Sequence, residues 1–378
     1  MFDAIEYQQR LQRLQVLIKK AELDAFVVRS DTNVMYLTGV DYYSAERKVL
    51  MIIPAQGEPQ LIVPRMEQER LGRAASVTQE NVLSYWEMDA KPGRGWRERF
   101  EESLGSAQRV GIEPFADADT VAALKDRDWQ VLPLVEDIRV IKSPVEIALT
   151  RRVAGYWTSA MNAILTEASV GRSVAELMQT GQRIMTDIFA NEPAANHSNS
   201  TAYMLLSCSP QSSSPHYFST SQDDTLPDGA TVINSMGCVN WYRAENERTI
   251  LTGNYTAQQA ELFDIAQQGQ QLALDLIKPD VPCAEVDSAV QDFFVKQGVA
   301  EHMRHRAGHG FGMEGHERPY TSEGSEETYQ PNMLISVEPG LYVEGVGGFR
   351  HCDTLLITEN GTENFTLGTP KDRASLTF

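Results

Sequence analysis

Residues 308–319 read GHGFGMEGHERP, with His309 and His316 seven positions apart among four glycines. Glycine lets the backbone bend tightly around a small ligand, and an imidazole there can donate, accept or bind a metal. A lone histidine would say little. Here His216, His309 and His316, three of the seven in the chain, each fall in a turn-flanked segment. Downstream come SVEPGLY (336–342), with Glu338, and GGFRHCDT (347–354), with Cys352. Upstream, two strands, Thr231 to Met236 and Trp241 to Leu251, read as a hairpin turning through 237–240 and carrying Asn234, Glu245 and Glu247. Strand side chains alternate, so Glu245 and Glu247 share one face and Arg248 takes the other. Acids and imidazoles thus gather in the second half of the chain.

Composition narrows the classes. The chain has 378 residues, 42% hydrophobic and 22% charged, which fits a globular protein of two domains. No stretch approaches eighteen uninterrupted apolar residues, so no membrane helix is expected. The net charge of −19 argues against a nucleic-acid partner, because phosphates are met by clustered Lys and Arg. Cys208, Cys238, Cys283 and Cys352 form no CxxC pair and read as reduced thiols. The opening MFDAIEYQQRLQRLQ lacks the basic, apolar and small-residue order of a secretory signal, so a cytoplasmic location is expected.

The first part alternates helix and strand. Ile5, Leu11, Leu14, Leu17 and Ile18 recur at helical spacing, and strands are expected at Ala25 to Val28, Val49 to Ile53, Gln60 to Val63 and Arg109 to Ile112, with a helix at Ala118 to Lys125. Ser143-Pro144 with Glu146 is a helix start signal, which sets the expected domains at 1–142 and 143–378. Beyond it, helices are expected at Val145 to Glu167, Val174 to Ala190, Ala257 to Ile277 and Cys283 to Gln297. Residues 191–214 read as turn-rich, and Met333 to Val337 and Asp353 to Thr358 as closing strands. Helices and antiparallel strands in separate runs indicate an α+β second domain after a smaller α/β one.

In order and spacing these segments resemble the creatinase, aminopeptidase P and prolidase family of pita-bread hydrolases. The resemblance runs from VVRSDTNVMYLTGV (27–40) and RVIKSPVEIALTR (139–151) through His216, the hairpin, GHGFGMEGHERP, EPGLY and GGFRHCDT. It implies a C-terminal pita-bread catalytic domain behind a creatinase-type N-terminal domain. The metallopeptidases of the family hold two ions with Asp, a second Asp eleven residues on, the His of GHG, the Glu of EPG and a Glu two residues after the Arg of GGxR. Those positions fall here on Asn234, Glu245, His309, Glu338 and Cys352, so two carboxylates are lost. A close pair of divalent ions needs bridging anions, which neutral Asn234 cannot supply.

The pattern is closer to creatinase, a member that works without metal: its first Asp is also Asn, and its hairpin also ends Glu-Arg-Thr, here 247–249. On that resemblance the expected function is metal-independent, creatinase-like hydrolysis of a C–N bond in a small carboxylate-bearing substrate. His216 would shuttle the proton, with Glu247, Glu338 and His316 also catalytic. Glu245, His309, Asn234 and Cys352 would bind substrate, and Arg47 would reach it across a homodimer. Creatinase's second guanidinium-binding Glu falls on His351, so the substrate stays open. Also open are an Xaa-Pro metallopeptidase whose altered site holds one divalent ion such as zinc through Glu245, His309, Glu338 and Cys352, and a non-catalytic binding protein.

Overall fold

The run AFVV, buried along its whole length, becomes β1 (Ala25–Val28) in the middle of a six-stranded sheet. A strand covered on both faces has no polar alternation, which is why this one reads as continuously apolar. The computed structural model describes residues 2–87, 90–192, 195, 197–217 and 224–378. The chain divides into two units, Met1–Arg139 and Val140–Phe378. In the first, β2 (Leu50–Pro54), β3 (Gln60–Pro64), β4 (Val82–Tyr85), β5 (Arg109–Ile112) and β6 (Asp128–Val131) join β1 in the order β4-β3-β2-β1-β5-β6. Val27, Ile52, Ile62, Phe100, Val110 and Leu124 form its core. The amphipathic segment folds as the helix Ala4–Lys20, capped by Asp3 and burying Leu11, Leu14 and Ile18.

The second unit opens on the helix Pro144–Glu167, begun by the Ser143/Glu146 capping box. Ser235 donates to the carbonyl of Trp157 at 2.9 Å, tying this helix to a three-stranded sheet of β7 (Thr201–Cys208), β8 (Gly229–Val239) and β9 (Tyr242–Thr252). A second sheet runs β11-β10-β12-β15-β16, from β10 (Gly308–Gly310), β11 (Glu317–Thr321), β12 (Leu334–Val337), β15 (Asp353–Thr358) and β16 (Gly361–Asn364). β13 (Gly340–Val343) pairs with β14 (Gly347–Arg350). The helices Ala257–Leu276 and Cys283–Lys296 complete the unit.

Three expectations are corrected. The hairpin turns at Asn240 and Trp241, both at positive φ (50° and 73°), and not through 237–240. The helix expected over 174–190 is two, Val174–Met178 and Thr180–Asn191. The turn-rich stretch contains the strand β7; its positions 193, 194 and 196 lie outside the described residues.

Candidate functional site

The site is built where the two sheets meet. Glu247 and Cys352 exchange backbone hydrogen bonds, Glu247 N to Cys352 O at 3.2 Å and Cys352 N to Glu247 O at 3.0 Å. One step along, the Thr354 hydroxyl accepts from Glu245 N at 3.0 Å and donates to Glu245 O at 2.9 Å. This crossing sets the hairpin acids beside GGFRHCDT. Within the hairpin, Asn234 pairs with Glu247 and Met236 with Glu245. Alternation sends Arg248 the other way, to Asp353 at 2.9 Å.

His309 lies at the centre of the narrow strand β10. A Cβ added at Gly308 would come within 2.2 Å of Ser336 O, and one at Gly310 within 2.3 Å of Arg318 O, so only glycine allows the flanking strands this close. Glu338 follows β12 and donates its N–H to Ala307 O at 2.8 Å, which brings its carboxylate beside the His309 ring.

Two halves result. In the first, His309 Nε2 lies 3.1 Å from Glu338 Oε1 and 3.7 Å from Glu245 Oε2. Its Nδ1 is 3.0 Å from the Gly310 carbonyl; since a carbonyl only accepts, Nδ1 carries the proton and the Nε2 lone pair faces the acids. Nε2 is buried and makes no hydrogen bond of good geometry among the described residues. A lone pair opposite two carboxylates demands a cation between them. Without a metal that cation is a proton: burial pulls His309 down, but Glu245 and Glu338 outweigh it and carry the ring up to about 9. Burial likewise works against the Glu338 charge, and His309 and Arg350 more than offset it, holding that carboxyl far below its usual range. Glu245 is raised by burial.

In the second half, Arg350 donates Nε to Glu247 Oε2 at 2.5 Å and Nη2 to Glu247 Oε1 at 2.8 Å, a two-pronged pair. Nη2 also reaches Asn234 Oδ1 at 2.7 Å, and Nη1 donates to Tyr342 OH at 2.9 Å and to Pro215 O at 3.5 Å. Tyr342 in turn meets His305 Nε2 at 2.8 Å. Glu247 is 2% and Arg350 8% exposed. Burial pushes the Glu247 carboxyl up, with the Arg350 charge the main force opposing it.

His316 lies edge-on to His309, ring centres 4.2 Å apart, and is exposed; burial of part of its ring, then the His309 charge, lower it to about 4, so it is neutral near pH 7. His216 is exposed beside Pro215 at the rim. Cys352 Sγ is 3.0 Å from Ser336 Oγ and 3.9 Å from Glu245 Oε2, and burial followed by the three acids pushes its thiol well above 9. Asn234, Glu245, Glu247, His309, His316, Glu338 and Cys352 are therefore brought together. Arg47 belongs to the first unit, paired with Glu87 and, at 3.4 Å, with Glu46. His351 points away from the site, fully buried with its ring edge-on to Phe263. Sequence reading missed Arg350, Tyr342 and His305; the signal for Arg350 was its two-residue spacing from Cys352, which puts both on one face.

Residues 148–359 match Metallopeptidase family M24, and residues 10–141 match the Creatinase/Prolidase N-terminal domain. The chain is 26% identical over 364 residues to an Xaa-Pro dipeptidase of Pyrococcus horikoshii, covering 95% of this chain and 97% of that one. It is 28% identical over 373 residues to a probable dipeptidase PepE of Mycobacterium bovis, covering 95% and 94%. In fold it is similar to the Mycobacterium ulcerans dipeptidase PepE (TM-score 0.85, 24% identity, 100% and 99% covered) and to the Pyrococcus horikoshii prolidase (0.81, 24%, 97% and 99%).

These findings overturn the expected metal-independent, creatinase-like hydrolysis: the relatives are dipeptidases and the matching family is one of metallopeptidases. Glu247, expected to be catalytic, has both oxygens on the chain's own guanidinium. The donor set also bears on the implied metal. His309, His316 and Glu338 converge as one group that could hold an ion, and Glu245, Glu338 and Cys352 as another. The 3.1 and 3.7 Å separations at His309 Nε2 bracket the roughly 3.3 Å between ligands of a tetrahedral zinc. A single ion fits this half of the site. For a pair the donor set is poorer, since Asn234 is neutral and Cys352 offers sulfur where the resemblance puts bridging carboxylates.

Proposed function

Because the chain belongs to Metallopeptidase family M24, we propose that it hydrolyses the C–N bond of small Xaa-Pro dipeptides through the His309 half of its site. The observation that carries this is the buried Nε2 lone pair of His309 aimed at Glu338 and Glu245. Glu245, His309 and Glu338 would hold one divalent ion, with Cys352 behind them. When bound, such an ion supplies Lewis acidity to polarise a peptide carbonyl.

The chain's own groups do the rest. The Gly310 carbonyl fixes the His309 tautomer, so the ligand atom is already presented. Neutral His316, at the mouth, donates to the carbonyl oxygen as charge gathers there. His216, an exposed imidazole at the rim, carries the proton to the leaving nitrogen. Glu247 has no part in binding substrate; it holds Arg350. A homodimer, in which Arg47 of a second copy clamps the dipeptide carboxylate, is the finer part of the proposal, and a cytoplasmic location goes with it.

The test is turnover of an Xaa-Pro dipeptide panel by purified protein, first stripped by chelator and then supplied with zinc or manganese. Metal-restored cleavage is expected, with H309A inactive. No cleavage of any dipeptide under any metal overturns the reading.

A further inference from the structure

We infer that the Cys352 sulfur joins Glu245, His309 and Glu338 as a ligand of the ion, held in place by Ser336, and that the site therefore takes zinc or another thiophilic divalent ion in preference to manganese. The inference rests on the proposed function, which asks for an ion, and deepens it by naming the kind of ion.

Three observations carry it. First, Glu245 Oε2 lies between nitrogen and sulfur, 3.7 Å from His309 Nε2 and 3.9 Å from Cys352 Sγ. The carboxylates of Glu245 and Glu338 and the Cys352 sulfur converge to within 4.8 Å of one another. With bonds of about 2.0 Å to nitrogen or oxygen and about 2.3 Å to sulfur, neighbouring donors of a tetrahedral zinc stand roughly 3.3–3.6 Å apart, so these separations close with small shifts. Second, His309 is fully buried, and its Nε2 makes no hydrogen bond among the described residues. This corner lacks a cation and is not merely acidic. Third, Ser336 sits on β12 directly opposite His309 on β10 and Thr354 on β15, so its side chain shares their face. It is fully buried, with Oγ 3.0 Å from Cys352 Sγ. A hydroxyl donated to sulfur fixes the direction of the sulfur and supports the thiolate that binds metal.

Donor chemistry then selects the ion. One imidazole, two carboxylates and one sulfur form a mixed set that suits zinc, whereas manganese favours oxygen. On binding, the Cys352 S–H bond breaks, its electron pair goes to the metal and its proton to solvent. Zinc widens to five ligands, so a fourth protein donor leaves a place for the peptide carbonyl.

The test loads chelator-treated full-length protein with cobalt(II), which adopts the geometry of zinc and reports its ligands by absorption. A near-ultraviolet sulfur-to-cobalt charge-transfer band is expected, shifted in S336A and lost in C352S while the visible cobalt bands persist. By competition calorimetry, C352S should bind zinc about 100-fold and S336A about 10-fold more weakly, with manganese binding little changed. Bound cobalt without the band, a band that survives C352S, an unchanged zinc-to-manganese preference in C352S, or no metal bound at all overturns the inference. Circular dichroism checks each fold; should C352S not fold, a band in S336A identical to that of wild type overturns it instead. Zinc-restored dipeptide turnover in a protein whose cobalt form lacks the band sinks this inference and leaves the proposed function; sulfur-ligated metal without turnover does the opposite.

Discussion

The two halves of the pocket hold similar acids and leave them in opposite states. At His309, two carboxylates face an imidazole lone pair and the arrangement is incomplete without a cation. At Asn234, a carboxylate and an amide face Arg350 and the arrangement is complete as it is. Both are buried, so burial does not explain the contrast. What differs is whether the cation is part of the chain. A buried charge is tolerated where a partner comes with it, and a half built without one is a place for a ligand.

The most damaging way to break the comparison is to remove the open half. H309A is expected to lower kcat/KM for Xaa-Pro dipeptides on the order of 10³-fold with little change in melting temperature; a loss under tenfold would mean that the lone pair is not where the reaction is assisted. Next comes the closed half. R350M strands Glu247 as a buried unpaired charge and should cost about 3–5 kcal/mol of stability by urea unfolding. Adding E247T should return a good part of it. If R350M unfolds like wild type, the pair does not hold this half together.

Glu113 in the first unit sharpens the contrast, being an acid just as buried, 1% exposed, but held by backbone and amide N–H groups and, among the described residues, by no guanidinium. Its oxygens accept from the backbone of Arg29 at 2.5 Å, from the backbone of Ser30 and from Asn33 Nδ2 at 2.7 Å. Burial outweighs these donors and lifts the carboxyl from 4.5 to about 7. The sign follows: between these values the unfolded chain ionises while the folded one stays protonated, so stability present below pH 4.5 is lost as pH rises towards 7. The loss is up to about 3 kcal/mol. E113Q should flatten that slope, read from urea midpoints at several pH values; an unchanged slope means that Glu113 is ionised in the fold. The smallest effect is expected of Y342F, which removes the hydroxyl between Arg350 and His305. A cost of about 1 kcal/mol, with the zinc affinity unchanged, is predicted; a large fall in zinc affinity would show that the halves are not independent.

Much of the open half was legible in the sequence, because its members sit in short motifs whose order is fixed: GHG places His309, EPG places Glu338, and alternation puts Glu245 and Glu247 on one face. The closed half was not. Alternation says that Arg350 shares a face with Cys352, yet its partner depends on the Glu247–Cys352 bridge between two sheets, a contact spanning more than a hundred residues. Local signals also misled. Gly237 reads as a turn residue, but it lies within β8 at φ 147° because a Cβ there would meet Thr201 O at 2.1 Å. The same packing explains β7, whose apolar centre is short and flanked by Ser, Asn and Pro, so its strand character comes from pairing with β8.

The claim that the halves are unequal is a claim about position, and anomalous diffraction from zinc-soaked crystals tests it directly. The account predicts a peak among Glu245, His309 and Glu338, with Arg350 still paired to Glu247. A peak beside Asn234 alone, with the guanidinium displaced, would contradict it.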